Sequence, residues 1–340
     1  MRYSSAFRRR LRDANIRSFD KLIHHQDKEW LIKNFSHRAT KYPINITMLI
    51  RNLIWQMKER IQKGEKAPLT ELIRTYWYMY LKPALSRADS LSDKPDNHYN
   101  SLIEQLSAMV TDYDIIRYKE LGFRDEKAAF RKAGENANII VFAEKAAHWS
   151  FLSDLNDKYR VNVMAFGGFP SLMSTEYFMD SIKETGIDMR RSFYLFSICD
   201  FDPAGIKIEN SFINNLNFFG IKNVKVKKLV TPDMLTEDEI RVSRYRLSRG
   251  RRSRNKRWYE KVKKKNYNNM KYLIDTDEKT GDKIFYGLHA DSVSTVRLTE
   301  KLENEMVPVL GKKEDFLKVF EMEKLDEAIK RYIVYQITGD

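Results

Sequence analysis

The sequence is poor in the residues and patterns that mark several classes of protein. A single cysteine, Cys199, occurs in 340 residues, which excludes a disulfide framework and a cysteine-based zinc site and favours a reducing compartment. No apolar run approaches the ~20 residues that span a bilayer, so no membrane partner is expected. We expect a globular protein with room for two domains, in the cytoplasm with the nucleoid, or in the nucleus of a eukaryote.

Acidic residues are fewer than basic residues, and most of this difference lies in one segment. The net charge is +14, and residues 241–271 hold fourteen Lys and Arg but one acid, Glu260. Tyrosine and tryptophan are interleaved with these cations, a composition that predicts contact with double-stranded DNA. The alternative is a solvated charged face without a ligand. The cations expected to bind DNA are Arg249, Arg251, Arg252, Arg254, Lys256 and Arg257.

Residues 1–41 form a second basic region, at the N terminus. Five arginines precede the first acid, Asp13. A mitochondrial presequence has this composition, and so does an arm that lies on DNA or on a partner subunit. No cleavage site is recognisable, so a basic arm is the interpretation that we favour.

The pattern of residues 42–133 predicts a small, mainly helical domain. Apolar residues recur at helical spacing over residues 44–61 and 99–110, and another helix is indicated between them at residues 71–81. Short strand-like pieces follow at residues 115–123, and then a linker helix. Three helices followed by short strands is the order of a winged-helix, or CAP-like, DNA-binding domain.

Residues 134–340 alternate between predicted strands and helices. The predicted strands cover residues 138–143, 161–166, 193–199 and 223–229. Their β-α-β-α-β-α-β order predicts an α/β, Rossmann-like domain with a mostly parallel sheet. The basic segment 241–271 is an insertion in this domain, and a β-hairpin is predicted directly after it.

Acidic side chains follow two of these strands at their carboxyl ends. Asp200 and Asp202 come after the third strand, and Glu144 follows the first. The carboxyl edge of a parallel sheet is where α/β proteins bind ligands, and three unpaired carboxylates there would repel each other without a cation. The sequence therefore predicts a Mg²⁺ site. The alternatives are that one aspartate caps the next helix while the other is solvated, and that Glu144 pairs with Lys145.

A second candidate group lies on the predicted helix at residues 71–81. Arg74 and Tyr78 are four residues apart and therefore share a helical face. A guanidinium beside a tyrosine would favour the phenolate and could hold a phosphate oxygen through two donors, as a nucleophile requires. The alternative is that Tyr78, like the aromatic residues beside it, is a packing or base-stacking group.

These motifs together resemble one protein family. A Glu after one strand, a Gly-x-Pro at residues 168–170 after the next and an Asp-x-Asp-Pro-x-Gly at residues 200–205 after the third are similar to the Toprim domain in the A subunit of type IIB DNA topoisomerases (topoisomerase VI). The meiotic double-strand-break protein belongs to the same family. There a winged-helix domain precedes the Toprim domain, and the catalytic tyrosine ends an Arg-x-x-aromatic-Tyr motif, which residues 74–78 match. The resemblance covers roughly residues 42–310 and is weakest in the wing and the basic insertion.

The resemblance implies a mechanism and a set of partners. Tyr78 would attack a DNA phosphodiester and form a 5′-phosphotyrosyl link, Arg74 would steady the scissile phosphate, and the three carboxylates would hold Mg²⁺. In the family the tyrosine and the metal site come from different protomers, so a homodimer is implied. ATP hydrolysis would belong to a separate GHKL-type B subunit, whose existence is left open. The alternatives are a Toprim nuclease that uses metal-activated water and a non-catalytic DNA-binding protein.

Overall fold

The computed structural model describes residues 46–311, except residues 88, 90, 92 and 93, together with residues 325, 328–330, 332, 333 and 336. The predicted basic arm at residues 1–41 lies outside the described residues. The chain divides into two compact units, one ending at Glu126 and the other starting at Lys127. Within the described part of the chain, no helix is long and apolar enough to cross a membrane.

The first unit is helical over its described residues. Its elements are α1 (Ile46–Gln62), α2 (Ile73–Tyr76), a π-helix (Trp77–Leu81), α3 (Lys82–Arg87), α4 (Pro95–Thr111) and α5 (Tyr118–Leu121). The three predicted helices occur as α1, α4 and the continuous run from α2 to α3, but this run continues through Pro83 to Arg87, beyond the predicted end at residue 81. Leu53 and Met57 of α1 and Leu106 of α4 are buried where these two helices pack together.

The strand-like pieces predicted at residues 115–123 are wrong. The helix α5 occupies the middle of this stretch and ends at Gly122, whose φ of 80° is the left-handed conformation that favours glycine. Ile116, Tyr118 and Leu121 are buried, and their short apolar spacing fits one helical turn as well as a short strand. No strand occurs among the described residues of this unit.

The π-helix Trp77–Leu81 is a widened turn within the helical run. The N–H of Lys82 donates to the carbonyl of Trp77, five residues earlier. Pro83 follows, and because proline has no N–H and its ring crowds the carbonyl four residues before it, the preceding turn widens. π-helical turns are rare and are frequent at functional sites. Tyr78 lies in this turn.

The second unit is built on a five-stranded, mostly parallel sheet. Its strands are β1 (Arg131–Lys132), β2 (Asn136–Ala143), β3 (Val161–Ala165), β4 (Phe193–Ile198) and β5 (Val224–Lys228), in the order β1-β3-β2-β4-β5. β1 is antiparallel to β3, and the other neighbours are parallel. The connecting helices are α6 (Trp149–Tyr159), α7 (Leu172–Glu184) and α8 (Pro203–Phe218). The predicted α/β class with a mostly parallel sheet is confirmed.

One local prediction in this unit is wrong. Residues 127–133, predicted as a linker helix, form a 3₁₀ turn at Ala128–Phe130 and then the edge strand β1. The segment is rich in Lys and Ala, which favour a helix. Pairing with β3 overrides that preference, because it satisfies backbone donors and acceptors at the sheet edge.

The basic segment is an integral part of the second unit. A second, antiparallel sheet contains β6 (Arg244–Arg246), β7 (Ile274–Thr276) and β8 (Lys283–Leu288), in the order β6-β8-β7, and the helices around it are α9 (Glu237–Ser243), α10 (Arg252–Lys263) and α11 (Thr295–Leu310). The predicted hairpin is confirmed as β7 and β8. Phe201 and Leu288 exchange two backbone hydrogen bonds of 2.8 and 3.3 Å, which tie β8 to the carboxyl edge of the first sheet.

Candidate metal centre and candidate tyrosine

Glu144 and Asp200 follow adjacent parallel strands. β2 and β4 pair with Ala143 opposite Ile198, so the residues that come next leave the sheet at the same edge. The backbone N–H of Asp200 donates to Glu144 Oε2 at 3.2 Å. The two acids are therefore brought together, as the strand pattern predicts.

Asp200 is held by three groups. Its Oδ1 accepts a hydrogen bond from the backbone N–H of Ala290 at 2.7 Å and lies 3.2 Å from Nζ of Lys145. Its Oδ2 lies 3.0 Å from Nδ1 of His289. Because a carboxylate only accepts, this nitrogen carries the hydrogen. Among the three candidate acids, Lys145 thus pairs with Asp200 rather than with Glu144, the partner that its position in the sequence suggests.

Asp202 caps α8 and also binds a tyrosine. Its Oδ1 accepts from the N–H of Gly205 at 2.6 Å, and its Oδ2 accepts from the hydroxyl of Tyr245 at 2.8 Å. Burial and the charge of Asp202 raise the pKa of Tyr245 far above its usual value, so the hydroxyl is the donor. The alternative, in which one aspartate caps the helix and the other is solvated, is right about the cap. It is wrong about the solvated aspartate, because Asp200 and Asp202 are only 8% and 9% exposed.

The motif glycines are required by the backbone around the carboxylates. A Cβ atom on Gly205 would lie 2.1 Å from the carbonyl oxygen of Asp200, so only glycine fits there. Pro203 takes the first position of α8, where its missing N–H has no helical partner. Gly168, in the turn after β3, has a φ of 114°, and its N–H donates to the carbonyl of Glu144 at 2.9 Å. These residues fix the loops that carry the acids.

Negative charge is unfavourable in this cluster. Burial, followed by the charges of Asp200 and Asp202, raises the pKa of Glu144. Three carboxylates at one edge are a donor set that suits Mg²⁺. Among the residues that the structure describes, no three His, Cys, Asp or Glu side chains are arranged to hold a metal ion together. Both aspartates are engaged by protein donors, so a cation would compete with Lys145 for Asp200.

The sequence does not predict the side chains that surround these acids. They are Tyr245, His289 and Asp291, whereas Lys145 adjoins Glu144 in the sequence. The two oxygens of Asp291 lie 2.7 Å from Nζ of Lys145 and 3.1 Å from Nε2 of His148. A His-x-Asp sequence after a strand is too common to identify a site. The bridge between Phe201 and Leu288, a tertiary contact, helps to bring residues 289–291 to the acids.

Tyr78 is the exposed tyrosine of an aromatic group in the first unit. It is 47% exposed, whereas Tyr76 is 1% exposed and packs against Phe123. The guanidinium of Arg74 and the ammonium of Lys82 lie 5.9 and 4.9 Å from the centre of the Tyr78 ring. Arg74 and Tyr78 are therefore neighbours, as their spacing predicts. A phosphate can approach a tyrosine placed between two cations at the surface, but not the buried Tyr76.

The three acids and the candidate tyrosine lie in different units of the chain. No protein-family model matches the chain, and no curated protein is significantly similar to it. Support for a function therefore comes from the contacts of the described side chains within each unit and from the three short motifs.

Aromatic side chains anchor the basic segment to the Asp-x-Asp loop. Phe201, which lies between the two aspartates, is 1% exposed and packs edge-on against Trp258 and Tyr267, with ring centres 5.7 Å apart in each pair. Arg254 donates to the carbonyl of Pro203 at 2.9 Å. Trp258 is itself buried. The interleaving of aromatic residues with cations in the sequence predicts that these rings stack on DNA bases. Trp258 and Tyr267 instead pack on Phe201 inside the unit.

The remaining predicted DNA-binding cations are exposed. They are Arg249, Arg251, Arg252, Lys256 and Arg257. Arg252 pairs with Asp282 at 2.7 Å, and Arg249 lies 3.5 Å from Asp277. Exposed ion pairs contribute little to stability, so these arginines can exchange a carboxylate for a phosphate. Arg254 differs from the others because it is half-buried and bound to a carbonyl.

We expect Phe201→Ala to lower the free energy of unfolding of the second unit by roughly 3–5 kcal/mol, the usual cost of truncating a buried aromatic ring. The cavity would open between the Asp-x-Asp loop and α10. Urea denaturation followed by circular dichroism measures the change. The control is Phe169→Ala, whose ring is 60% exposed, with an expected change within about 0.5 kcal/mol. Equal midpoints for the two variants would contradict the anchoring role of Phe201.

Proposed function

We propose that this chain is a magnesium-dependent, DNA-cleaving protein that resembles the A subunit of type IIB DNA topoisomerases, with a helical domain, whose described residues contain no wing strands, in the place of the winged-helix domain and a Toprim domain after it. The observation that carries the proposal is the contact of Glu144 with Asp200 at the carboxyl edge of a mostly parallel sheet, with a second buried aspartate, Asp202, two residues later. Grouped acids raise the energy of the folded chain unless a cation compensates them. A cation-dependent function accounts for such a cluster.

Tyr78 is the proposed nucleophile. Its phenolic oxygen would attack a DNA phosphorus, and the new O–P bond would form as the bond from phosphorus to the 3′ oxygen breaks. The phenol would lose its proton to solvent, and the 3′ oxygen would take up a proton from solvent and leave as a hydroxyl, while the 5′ end stays linked to the tyrosine. Arg74 and Lys82, which flank the ring, would stabilise the charge that the phosphate gains in the transition state.

The carboxylates of Glu144, Asp200 and Asp202 are the groups that would hold Mg²⁺. When bound, the ion would neutralise phosphate charge and fix the DNA backbone. As the family resemblance implies, the active species would be a homodimer in which each protomer's tyrosine serves its partner's carboxylates, so that two tyrosines cut the two strands. ATP-driven strand passage would require a separate B subunit of the GHKL type.

The test is incubation of the full chain with supercoiled plasmid and MgCl₂, without any partner protein. We expect broken DNA after denaturation with detergent, and protein attached to the 5′ ends until protease removes it. Breaks without attached protein would instead support a nuclease that uses metal-activated water. DNA binding without breaks, unchanged by Mg²⁺, would support a non-catalytic DNA-binding protein.

Exposed arginines of the basic segment are expected to set the salt dependence of DNA binding. Replacing Arg249, Arg251 and Arg252 with Ala should reduce the slope of log K against log[salt] by about 3, because each phosphate that a cation neutralises adds roughly 0.9 to the slope. Fluorescence anisotropy with a DNA duplex over a range of NaCl concentrations measures the slope. The matched control replaces three exposed cations elsewhere on the second unit, Lys183, Arg190 and Arg191. An equal slope for the two triple variants would refute the assignment of this surface.

A further inference from the structure

We propose that Tyr245 and His289 are positioning residues, which hold Asp202 and Asp200 in the orientation that binds a divalent cation. The inference rests on the proposed metal centre and adds two residues that lie outside its sequence motifs. Neither residue is a ligand or a reacting group in this proposal. Each acts through the aspartate that it contacts.

Tyr245 completes the fixation of Asp202. It lies on β6, opposite Gly287 on β8, and its hydroxyl donates to Oδ2 of Asp202 at 2.8 Å. The other oxygen, Oδ1, already accepts from the N–H of Gly205. Two donors on different oxygens fix the plane of the carboxylate, and each oxygen keeps a lone pair for a cation.

His289 performs the same task for Asp200. Its Nδ1 lies 3.0 Å from Oδ2 of Asp200, while the N–H of Ala290 binds Oδ1 at 2.7 Å. The imidazole also stacks on the ring of Tyr245, with centres 4.0 Å apart and planes 16° apart. A continuous chain of contacts therefore runs from Asp202 through Tyr245 and His289 to Asp200. Moving either ring would disturb both acids.

Gly287 makes this arrangement tight. A Cβ atom there would lie 2.8 Å from Cζ and 2.9 Å from the hydroxyl oxygen of Tyr245, and 3.0 Å from Cβ of Asp202. The tyrosine ring is therefore confined by the backbone of β8 and by the stacked ring of His289. The backbone bridge between Phe201 and Leu288 fixes β8 against the loop that carries both aspartates.

The exposure of His289 argues against a purely structural role. Its side chain is 48% exposed, so its burial contributes less to folding than that of a core residue. Its polar contact is nevertheless with an aspartate whose side chain is 11% exposed. Groups that orient metal-binding side chains from the outer shell commonly change affinity by about 10–100-fold when they are removed.

The test measures binding of Mn²⁺ to the full chain without DNA, by electron paramagnetic resonance of the free ion. Tyr245→Phe and His289→Phe keep an aromatic ring in the stack but remove the polar contact to the aspartate. His289→Asn retains a side-chain N–H that can replace Nδ1. Tyr194→Phe is the matched control, because it removes a tyrosine hydroxyl from β4 that lies 3.4 Å from Nζ of Lys225 and not at the acids.

We expect Tyr245→Phe and His289→Phe to bind Mn²⁺ at least about tenfold more weakly than the wild type. Tyr194→Phe should bind like the wild type, and His289→Asn, which keeps an N–H but loses the ring stack, should bind more tightly than His289→Phe. Thermal unfolding without metal should be similar for all four variants. Wild-type affinity in Tyr245→Phe and His289→Phe, beside a wild-type chain that binds the ion, would refute the positioning role alone. A wild-type chain that does not bind Mn²⁺ would overturn the metal centre and the positioning role together.

Discussion

Tyr78→Phe is expected to abolish the attachment of protein to DNA and to reduce Mg²⁺-dependent cleavage by at least about 10³-fold. The substitution removes one oxygen atom and leaves the aromatic ring next to Arg74 and Lys82. Because the side chain is 47% exposed, the free energy of unfolding should change by less than about 0.5 kcal/mol. Loss of chemistry with unchanged stability is what the removal of a nucleophile predicts.

The measurement compares plasmid cleavage with and without protease after denaturation, so that trapped protein–DNA links are counted separately from free breaks. Tyr80→Phe is the control, because Tyr80 belongs to the same π-helical turn and is only half-buried. It should cleave like the wild type. If Tyr78→Phe still cuts at the wild-type rate, Tyr78 is a packing residue and water is the nucleophile, while the carboxylate cluster remains a candidate metal site.

The parallel sheet could be predicted because its central strands are buried on both faces. Residues 139–143 are completely buried in β2, and such strands appear in the sequence as continuous apolar runs. The place of Glu144 and Asp200 could be predicted as well, because adjacent parallel strands end at one edge. Topology was therefore sufficient to bring these two acids together.

The surroundings of the acids could not be predicted, because they depend on distant contacts. Tyr245 and His289 lie 43 and 89 residues from the aspartates that they bind, and no periodic pattern connects them. The aromatic residues of the basic segment show the same limit, since Trp258 packs on Phe201 instead of facing solvent. Composition indicates which residues are present, but packing determines which surface they form.

Short segments gave wrong predictions for a related reason. Residues 115–123 contain α5 and residues 127–133 contain β1, in each case against the local pattern. Elements of two to four residues gain little from propensity, and a few tertiary hydrogen bonds decide their conformation. The long helices and central strands were predictable because many residues of each carry the same periodic signal.

Asp202→Asn should separate the role of Asp202 as a helix cap from its proposed role as a metal ligand. Asparagine is as good an N-cap as aspartate, so the hydrogen bond from Gly205 should persist, and removing one of three grouped negative charges should relieve repulsion with Glu144 and Asp200. The amide nitrogen would then face the hydroxyl of Tyr245, which can accept as well as donate, so without metal this variant should be close to the wild type in stability. Asp202→Ala also loses the cap and should be less stable by about 0.5–2 kcal/mol.

Adding Mg²⁺ should make the wild type clearly more stable than Asp202→Asn. At a concentration of 100 times its dissociation constant, a bound ion stabilises the folded wild type by about 2.7 kcal/mol, whereas Asp202→Asn lacks a charged ligand and should gain far less. Thermal unfolding with and without MgCl₂ measures both effects on the same samples. Equal stabilisation of the wild type and Asp202→Asn by Mg²⁺ would show that the ion binds elsewhere, and Asp202 would then be a helix cap alone.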